Sequence, residues 1–376
     1  MHRRNAFPAI VEIGSGVMSR LPEILRTTDL DARDVVVVTG VLSSRGYAED
    51  VVRLLRARGS RVRLVSVRRG TVGEASRLSE TLRCDDIVLA VGGGKVVDVA
   101  KLAARYAGAY LVSVPTTLAH DGISSPIASL TDEQGRKSSL AAVMPLGVVV
   151  DTDVAGTAPI ASLRAGLGDL LSNLTAVLDW RLATASGKET YDEVAGSIAE
   201  HSAFAVFHMA GVPGNETVAQ MSRSLVMSGL AMAASDSSRP CSGAEHLISH
   251  SLDDLLGPRA QMHGLQVALG TLIAAAAHGR YLPELRRVYR TLGLPLHPGQ
   301  LGISMTELAE SVIRAPAMRP NRYTVLDEVD LTRRGVHRLL AAAFADTGDL
   351  PVSLIPQPRS EGIEIGPLRV LPTQLG

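Results

Sequence analysis

The stretch EHLISH, residues 245–250, sets His246 and His250 one helical turn apart on the same face. His263 follows at the start of the next helical pattern, past a short turn that carries Pro258. Two helices joined by so short a turn can bring His246 and His263 to one point. A pair of imidazoles with a carboxylate makes a site for a borderline divalent ion such as zinc, with a position left open for substrate. Asp169, in the otherwise apolar AGLGDLLSN and read as lying in the first turn of its helix, is the carboxylate that fits. An aspartate in such company needs a partner. Spacing alone leaves a plainer reading open, because histidines at i, i+4 are often solvated and an aspartate near a helix start often only complements the helix dipole.

A second group lies nearer the N-terminus. VGGGKVVDVAK, Val91 to Lys101, places Gly92, Gly93 and Gly94 between a short apolar run and an amphipathic pattern. At such a strand-to-helix junction the first N–H groups of the helix are free and the dipole is positive, which suits a phosphate. Glycines remove the Cβ atoms that would hold a pyrophosphate away. The spacing is not G-x-G-x-x-G, and a tight turn alone would also explain the glycines. His120 and Asp121 stand in PTTLAHDGISSPIAS, a hydroxyl-rich loop after another apolar run. Loops at the carboxyl ends of parallel strands are where open α/β sheets bind ligands. His201 and His208 also share a helix face, but no third ligand lies near them, so they are expected to be structural.

The elements that would position these residues follow from periodicity. Up to about Thr157, apolar strand runs alternate with helical patterns, which predicts a parallel sheet with helices on both faces. From residue 158 to about 350 the chain reads as helix after helix. Residues 351–376 are rich in proline without a period and read as a loose tail. The expected architecture is therefore an α/β Rossmann-like domain over 1–157, an all-α domain over 158–350, and the tail. Lys plus Arg, at 38, equals Asp plus Glu, and aromatic residues make up 3% of the 376 residues, which argues against a nucleic-acid partner. Two cysteines give no disulfide framework and suit a reducing cytoplasm. No apolar segment is long enough to suggest a membrane span or a signal peptide.

VGGGKVVDVAK, SVPTTLAHDGISSPIAS, GLGDLLSN, SSRPCSGAEHLISHSLD, MHGLQVALGT and RPNRYTVLDEV occur in an order that resembles the sn-glycerol-1-phosphate dehydrogenase family. That family lies within the group of iron-type alcohol dehydrogenases, glycerol dehydrogenases and dehydroquinate synthases. The resemblance runs from about Phe7 to about Phe344. It implies a dehydroquinate synthase-like fold and a metal-dependent oxidoreductase that reduces dihydroxyacetone phosphate to sn-glycerol 1-phosphate with NAD(H) or NADP(H). It assigns the cofactor to Gly92, Gly93, Gly94, Lys95, Asp98, Thr116, Thr117 and Ser125. It assigns one divalent metal (Zn, Ni or Fe) to Asp169, His246 and His263, the substrate to Asp121 and His250, and it implies a homo-oligomer. Leu265 departs from the pattern, since relatives commonly carry an acid there. A same-fold enzyme acting on another phosphorylated or cyclic polyol would look similar. A dehydroquinate synthase-like cyclase would need a dense set of phosphate-binding bases, and the helical part offers Arg239 but few others.

Cofactor choice turns on the strand end RVRLVSVRRGTVGEAS. An acid there binds the ribose hydroxyls and arginine accepts a 2′-phosphate; Arg68 and Arg69 stand there, and the first acid is Glu74. NADPH is expected to serve at least as well as NADH, with Arg68→Ala or Arg69→Ala weakening NADPH selectively. Steady-state kinetics with both cofactors check this, and a strong NADH preference untouched by either substitution would remove the arginines from the ribose.

Overall fold

Alternating β-branched residues build a sheet buried on both faces. The computed structural model describes residues 7–27, 33–207, 209 and 214–345. In it, Val35 and Val37 face one hydrophobic core while Val36 and Val38, on the same strand, face another. The strands are β1 (Ile10–Gly14), β2 (Asp34–Gly40), β3 (Arg61–Val67), β4 (Ile87–Gly92), β5 (Tyr110–Pro115), β6 (Ile127–Thr131), β7 (Lys137–Ala141) and β8 (Gly147–Asp151). Six of them form a sheet in the order β1-β8-β5-β4-β2-β3, and every pairing in it is parallel. Helices α1 (Leu21–Arg26) and α2 (Arg45–Ala57) cover one face, and α3 (Val72–Ser79) and α4 (Gly94–Ala107) the other. The chain steps outward from β2 to β3 and returns to the far side of β2 with β4. The switch point of the sheet therefore lies between the carboxyl ends of β2 and β4, at Gly40 and Gly92.

The parallel sheet and its two helical layers match the expectation from sequence. Two features were not anticipated. One is β1, an edge strand that pairs β8 from Ile10↔Gly147 to Gly14↔Asp151. The other is the antiparallel pair β6–β7, which lies where the sequence reads as a polar loop.

After β8 all described elements are helical: α5 (Thr152–Gly156), α6 (Ile160–Ala185), α7 (Glu193–Phe207), α8 (Asn215–Ser235), α9 (Ala244–Leu256), α10 (His263–His278), α11 (Leu282–Leu292), α12 (Met305–Met318) and α13 (Arg333–Phe344), with short 3-10 turns. Their core is continuous with the sheet through Val148 and Val150. His208 and the Pro-rich tail lie outside the described residues; His201 is exposed, with Nδ1 2.7 Å from the Ser197 carbonyl oxygen.

The crossing of α6 and α10 decides where the chemistry can be. A Cβ at Gly168 would overlap the Gly264 carbonyl and touch the Ala268 methyl at 3.0 Å, and a Cβ at Gly264 would overlap the Ala165 carbonyl. Two glycines thus let the backbones touch, one residue from Asp169 and one from His263. Gly264→Ala is expected to force these helices apart, at about 1–3 kcal/mol for overpacking, and to lower metal affinity as well. Thermal denaturation and metal content of the purified variant check both effects; a variant with an unchanged melting point and full metal content would contradict this account of the crossing.

Candidate metal and cofactor site

Asp169 sits in the third turn of α6, which begins at Ile160, and not in the first turn as the sequence suggested. The apolar stretch before it is helix already. It is 4% exposed, between Gly168 and Leu170 in a long, mostly buried helix. Its two oxygens face different ways. Oδ2 accepts the backbone N–H of Asp121 at 2.9 Å, while Oδ1 lies 3.5 Å from Nε2 of His246 and 3.9 Å from Nε2 of His263. One ligand atom from each of the three residues falls within 4.8 Å of the others.

The imidazoles are aimed by their other nitrogens. Nδ1 of His246 donates to Glu245 Oε1 at 3.0 Å, and Glu245, fully buried, is fixed by Thr175 Oγ1 at 2.9 Å and by the Gly243 amide at 2.5 Å. Nδ1 of His263 lies 3.1 Å from Ser249 Oγ, which also accepts from Gln266. Both Nε2 atoms are left turned toward Asp169. A metal-bound histidine is held in this way, with its outer nitrogen on a carboxylate or hydroxyl.

The electrostatics point to a cation. Burial would raise the Asp169 carboxyl, but the hydrogen bond and charge of His246 hold it down to about 2. Burial opposes charge on His246, yet Asp169 and Glu245 raise it to about 9. Burial and then the charge of His246 push His263 down to about 3. The cluster accepts one positive charge beside its carboxylate and rejects a second proton. Two neutral imidazoles with one carboxylate and a divalent ion satisfy the same requirement, so the residues fit a metal.

Asp121 and His250 flank the cluster. Asp121 accepts from Ser228 Oγ at 2.9 Å, and burial and then the charge of Asp169 raise it to about 7. The ring of His250 stacks on that of His263 at 5.8 Å and 26°. Burial, then His263 and Arg319, depress it well below the ordinary histidine range.

Of the residues that the resemblance assigns to the cofactor, Gly92, Gly93, Gly94, Thr116 and Thr117 lie at the carboxyl ends of β4 and β5. Gly93 caps α4, and Thr116 donates its N–H to the Gly92 carbonyl at 3.0 Å. Each glycine of the triplet has a close neighbour: a Cβ would meet Val96 at Gly92, Thr117 Oγ1 at 3.1 Å at Gly93, and the ring of His120 at Gly94. The glycines therefore serve the packing of the turn and also keep the start of α4 open. Lys95 is exposed, and its stem lies against Gly70, so it reaches over the end of β3.

Asp98 and Ser125 are 3% and 1% exposed and face inward. Asp98 pairs at 2.8 Å with Lys101, which is wholly buried, and accepts the Ser129 amide at 3.2 Å. Lys101 Nζ donates to the carbonyls of Gly122, at 2.7 Å, and of Ile127. The loop that carries Asp121 is thus tied to α4 from within. Sequence reading passed over Lys101, although opposite charges at i, i+3 in an otherwise apolar stretch were a signal.

Arg68 and Arg69 are exposed, and their amides donate to the Glu74 carboxylate at 2.7 and 2.6 Å. An acid does stand at the end of β3, spent on backbone. Arg239, the base named in the helical part, engages Glu189 and the Tyr323 carbonyl through Nε and Nη2. Arg319 and Arg322 meet Ser238 and Ser242 ahead of α9, and Lys137 pairs with Asp253 at 3.1 Å. Leu265 is 3% exposed and part of the helical core, so no acid is missing from the site there.

A sheet with an open switch point joined to an Asp-His-His cluster in a helical layer defines a nicotinamide- and metal-dependent dehydrogenase of the iron-containing alcohol dehydrogenase class. The family model for iron-containing alcohol dehydrogenase matches residues 12–159. A probable glycerol dehydrogenase of Sinorhizobium meliloti aligns with a TM-score of 0.70 at 25% identity, over 90% of this chain and 97% of that one. Glycerol dehydrogenase of Schizosaccharomyces pombe, at 21% identity, shares the fold with a TM-score of 0.74 over 93% and 94%. Within the class the relationship is narrower. The chain is 38% identical to glycerol-1-phosphate dehydrogenase [NAD(P)+] of Thermococcus kodakarensis over 88% of its length and 95% of the relative. It is 35% identical to the enzyme of the same name from Methanothermobacter thermautotrophicus over 90% and 97%. The chain belongs to the glycerol-1-phosphate dehydrogenase family.

His263→Ala is expected to remove bound metal and activity together while circular dichroism stays unchanged. Glu245→Gln, which weakens the hold on His246, is expected to cost about 10- to 100-fold in metal affinity. Metal analysis after dialysis against a graded chelator checks both; normal metal retention in His263→Ala would sink the assignment.

Proposed function

We propose that this chain reduces dihydroxyacetone phosphate to sn-glycerol 1-phosphate, reversibly, with NADH or NADPH and one divalent metal. The observation that carries the reading is the tie between the two halves of the site: the Asp121 amide, on the loop after β5, donates to the same Asp169 carboxylate that faces His246 and His263. The family relationship supplies the substrate. In this reading the cofactor-binding part ends near Thr157, between α5 and α6, and the metal- and substrate-binding part follows.

Asp169, His246 and His263 would hold the metal, and their donor set accepts zinc, nickel or ferrous iron. When bound, the metal supplies a Lewis acid for the ketone carbonyl and the nicotinamide supplies the hydride. The chain does the rest. Gly93, Gly94 and Lys95 receive the pyrophosphate at the start of α4. Thr116 and Thr117 line the approach to the nicotinamide. Asp98 and Ser125 act from within, by fixing the 121–129 segment. Asp121, poised near neutrality, accepts or donates a hydrogen bond to a substrate hydroxyl. His250, uncharged, orients the substrate and relays the proton to the new hydroxyl, alone or through water.

Oxidation of NADH or NADPH by dihydroxyacetone phosphate, with chiral analysis of the product, tests the reading. No turnover by the metal-loaded protein, or formation of the sn-3 isomer, would overturn it. His250→Ala is expected to keep the metal and to raise KM or lower kcat. Loss of metal equal to that of His246→Ala would mean that the two histidines have exchanged roles.

A further inference from the structure

Helix α6 grips Asp121 at two points. Asp169 takes its amide. Asn173 stands four residues further along α6, on the same face, and is wholly buried. It reaches the Asp121 carboxylate through one intermediary, Ser228 of α8, which is also wholly buried. Nδ2 of Asn173 lies 3.0 Å from Ser228 Oγ, and Ser228 Oγ lies 2.9 Å from Asp121 Oδ2. Helix α8 is pressed against the loop that carries Asp121. Ser124 Oγ donates to the Leu225 carbonyl at 3.0 Å, and a Cβ at Gly229 would overlap Ser124.

The hydrogens of this chain of contacts run toward Asp121. The Ser202 hydroxyl gives its hydrogen to the Ala199 carbonyl at 2.7 Å, so its oxygen accepts from the Asn173 amide at 2.9 Å. That turns the Asn173 nitrogen toward Ser202, and its second hydrogen goes to Ser228 Oγ. Ser228 then has its own hydrogen to give and two acceptors in reach, Asp121 Oδ2 and, at 3.2 Å, Cys241 Sγ. Sulfur is the weaker acceptor. Burial, then the charge of Asp121, pushes the Cys241 thiol up, and the thiol donates to the Ser228 carbonyl at 3.3 Å. The Ser228 hydrogen is left for the carboxylate. Asn173 Oδ1, in turn, is buried and meets no donor among the described residues. A leucine would fill this space without that cost, so the amide stands there for what its N–H groups hold.

We infer that Ser228, primed by Asn173, is the positioning residue for Asp121: it holds Oδ2 and leaves Oδ1 to the substrate hydroxyl. The inference rests on the dehydrogenase reading above, in which Asp121 meets the substrate. A carboxylate held at one oxygen has lost a rotation, and its second oxygen meets a hydroxyl in one place. Asp169 fixes the backbone of this residue and Ser228 its side chain. Among the described residues the side-chain hydrogen bonds of Asn173 and Ser228 go to Ala199, Ser202, Cys241 and Asp121, and to none of the three metal-facing residues. Loss of Ser228 should therefore act on the substrate and spare the metal.

Ser228→Ala, Asp121→Ala and the double variant would be prepared as metal-loaded enzymes. Metal analysis and NADH binding by fluorescence report whether each is folded and complete. Ser228→Ala is expected to lower kcat/KM for dihydroxyacetone phosphate about tenfold to a hundredfold, the loss for a hydrogen bond to a charged group, with metal content unchanged. Asp121→Ala should cost at least as much. The double variant should fall within about twofold of Asp121→Ala alone, because residues that act as a unit are not additive. Losses that multiply, loss of metal from Ser228→Ala, or full activity in it would each overturn the inference and leave the dehydrogenase reading standing. Should Ser228→Ala fail to fold, Asn173→Leu takes its place in the same cycle. A wild type that does not turn over dihydroxyacetone phosphate removes that reading instead. The cycle is then run on urea unfolding: midpoint shifts that fail to add support the hold of Ser228 on Asp121, and shifts that add overturn it.

Discussion

A carboxylate buried in the middle of an apolar helix is the constraint around which this molecule is arranged. Asp169 lies among Leu167, Leu170 and Leu171, all in the helical core. An isolated charge there would cost several kcal/mol, so the surroundings must answer it. They do so with an amide from the sheet side, two imidazole nitrogens from the helix side, and room for a cation between. The same residue that would hold a metal thus also joins the loop after β5 to the helical layer.

That junction is supported from behind by a second buried charge. Lys101 is enclosed, and its ammonium is met by Asp98 and by carbonyls of the 122–127 segment. The loop bearing Asp121 is anchored to α4 on one side and to Asp169 on the other. Helix α4 begins at the glycine turn, so the proposed cofactor end and the metal end share one rigid connection. A further network works on the opposite side. Asp179, fully buried, accepts from the Ala244 amide at 2.6 Å, from the Val325 amide at 2.7 Å and from His278 at 2.8 Å. It fixes the start of α9, and with it His246, and also the chain that follows Arg322.

Much of this was legible in the sequence because it is local or periodic. Strands β2 to β5 are runs rich in valine and other apolar residues bounded by turns, and the His246–His250 spacing is read directly from the helical period. Other parts were not legible, for physical reasons that differ. β1 is an edge strand with only Ile10 buried, so its five residues carry little alternation. β6–β7 is short and half polar, and its pairing is made by backbone. Asp169 was placed a turn and more too early because nothing in AGLGDLLSN says that the helix had begun at Ile160. Arg319 and Arg322 stand in RPNRYTVLDEV, within the part read as helix after helix, and only the fold brings them against Ser238.

The polarity of the site then divides along a line. On one side stand acids, Asp121, Asp169 and Glu245, whose charges call for a cation and for imidazoles. On the other stand bases, Arg319 and Arg322, and Lys137, which comes from β7 to pair with Asp253 on α9 at 3.1 Å. His250 stacks on His263, and burial first, then the charges of His263 and Arg319, push it well below the ordinary histidine range.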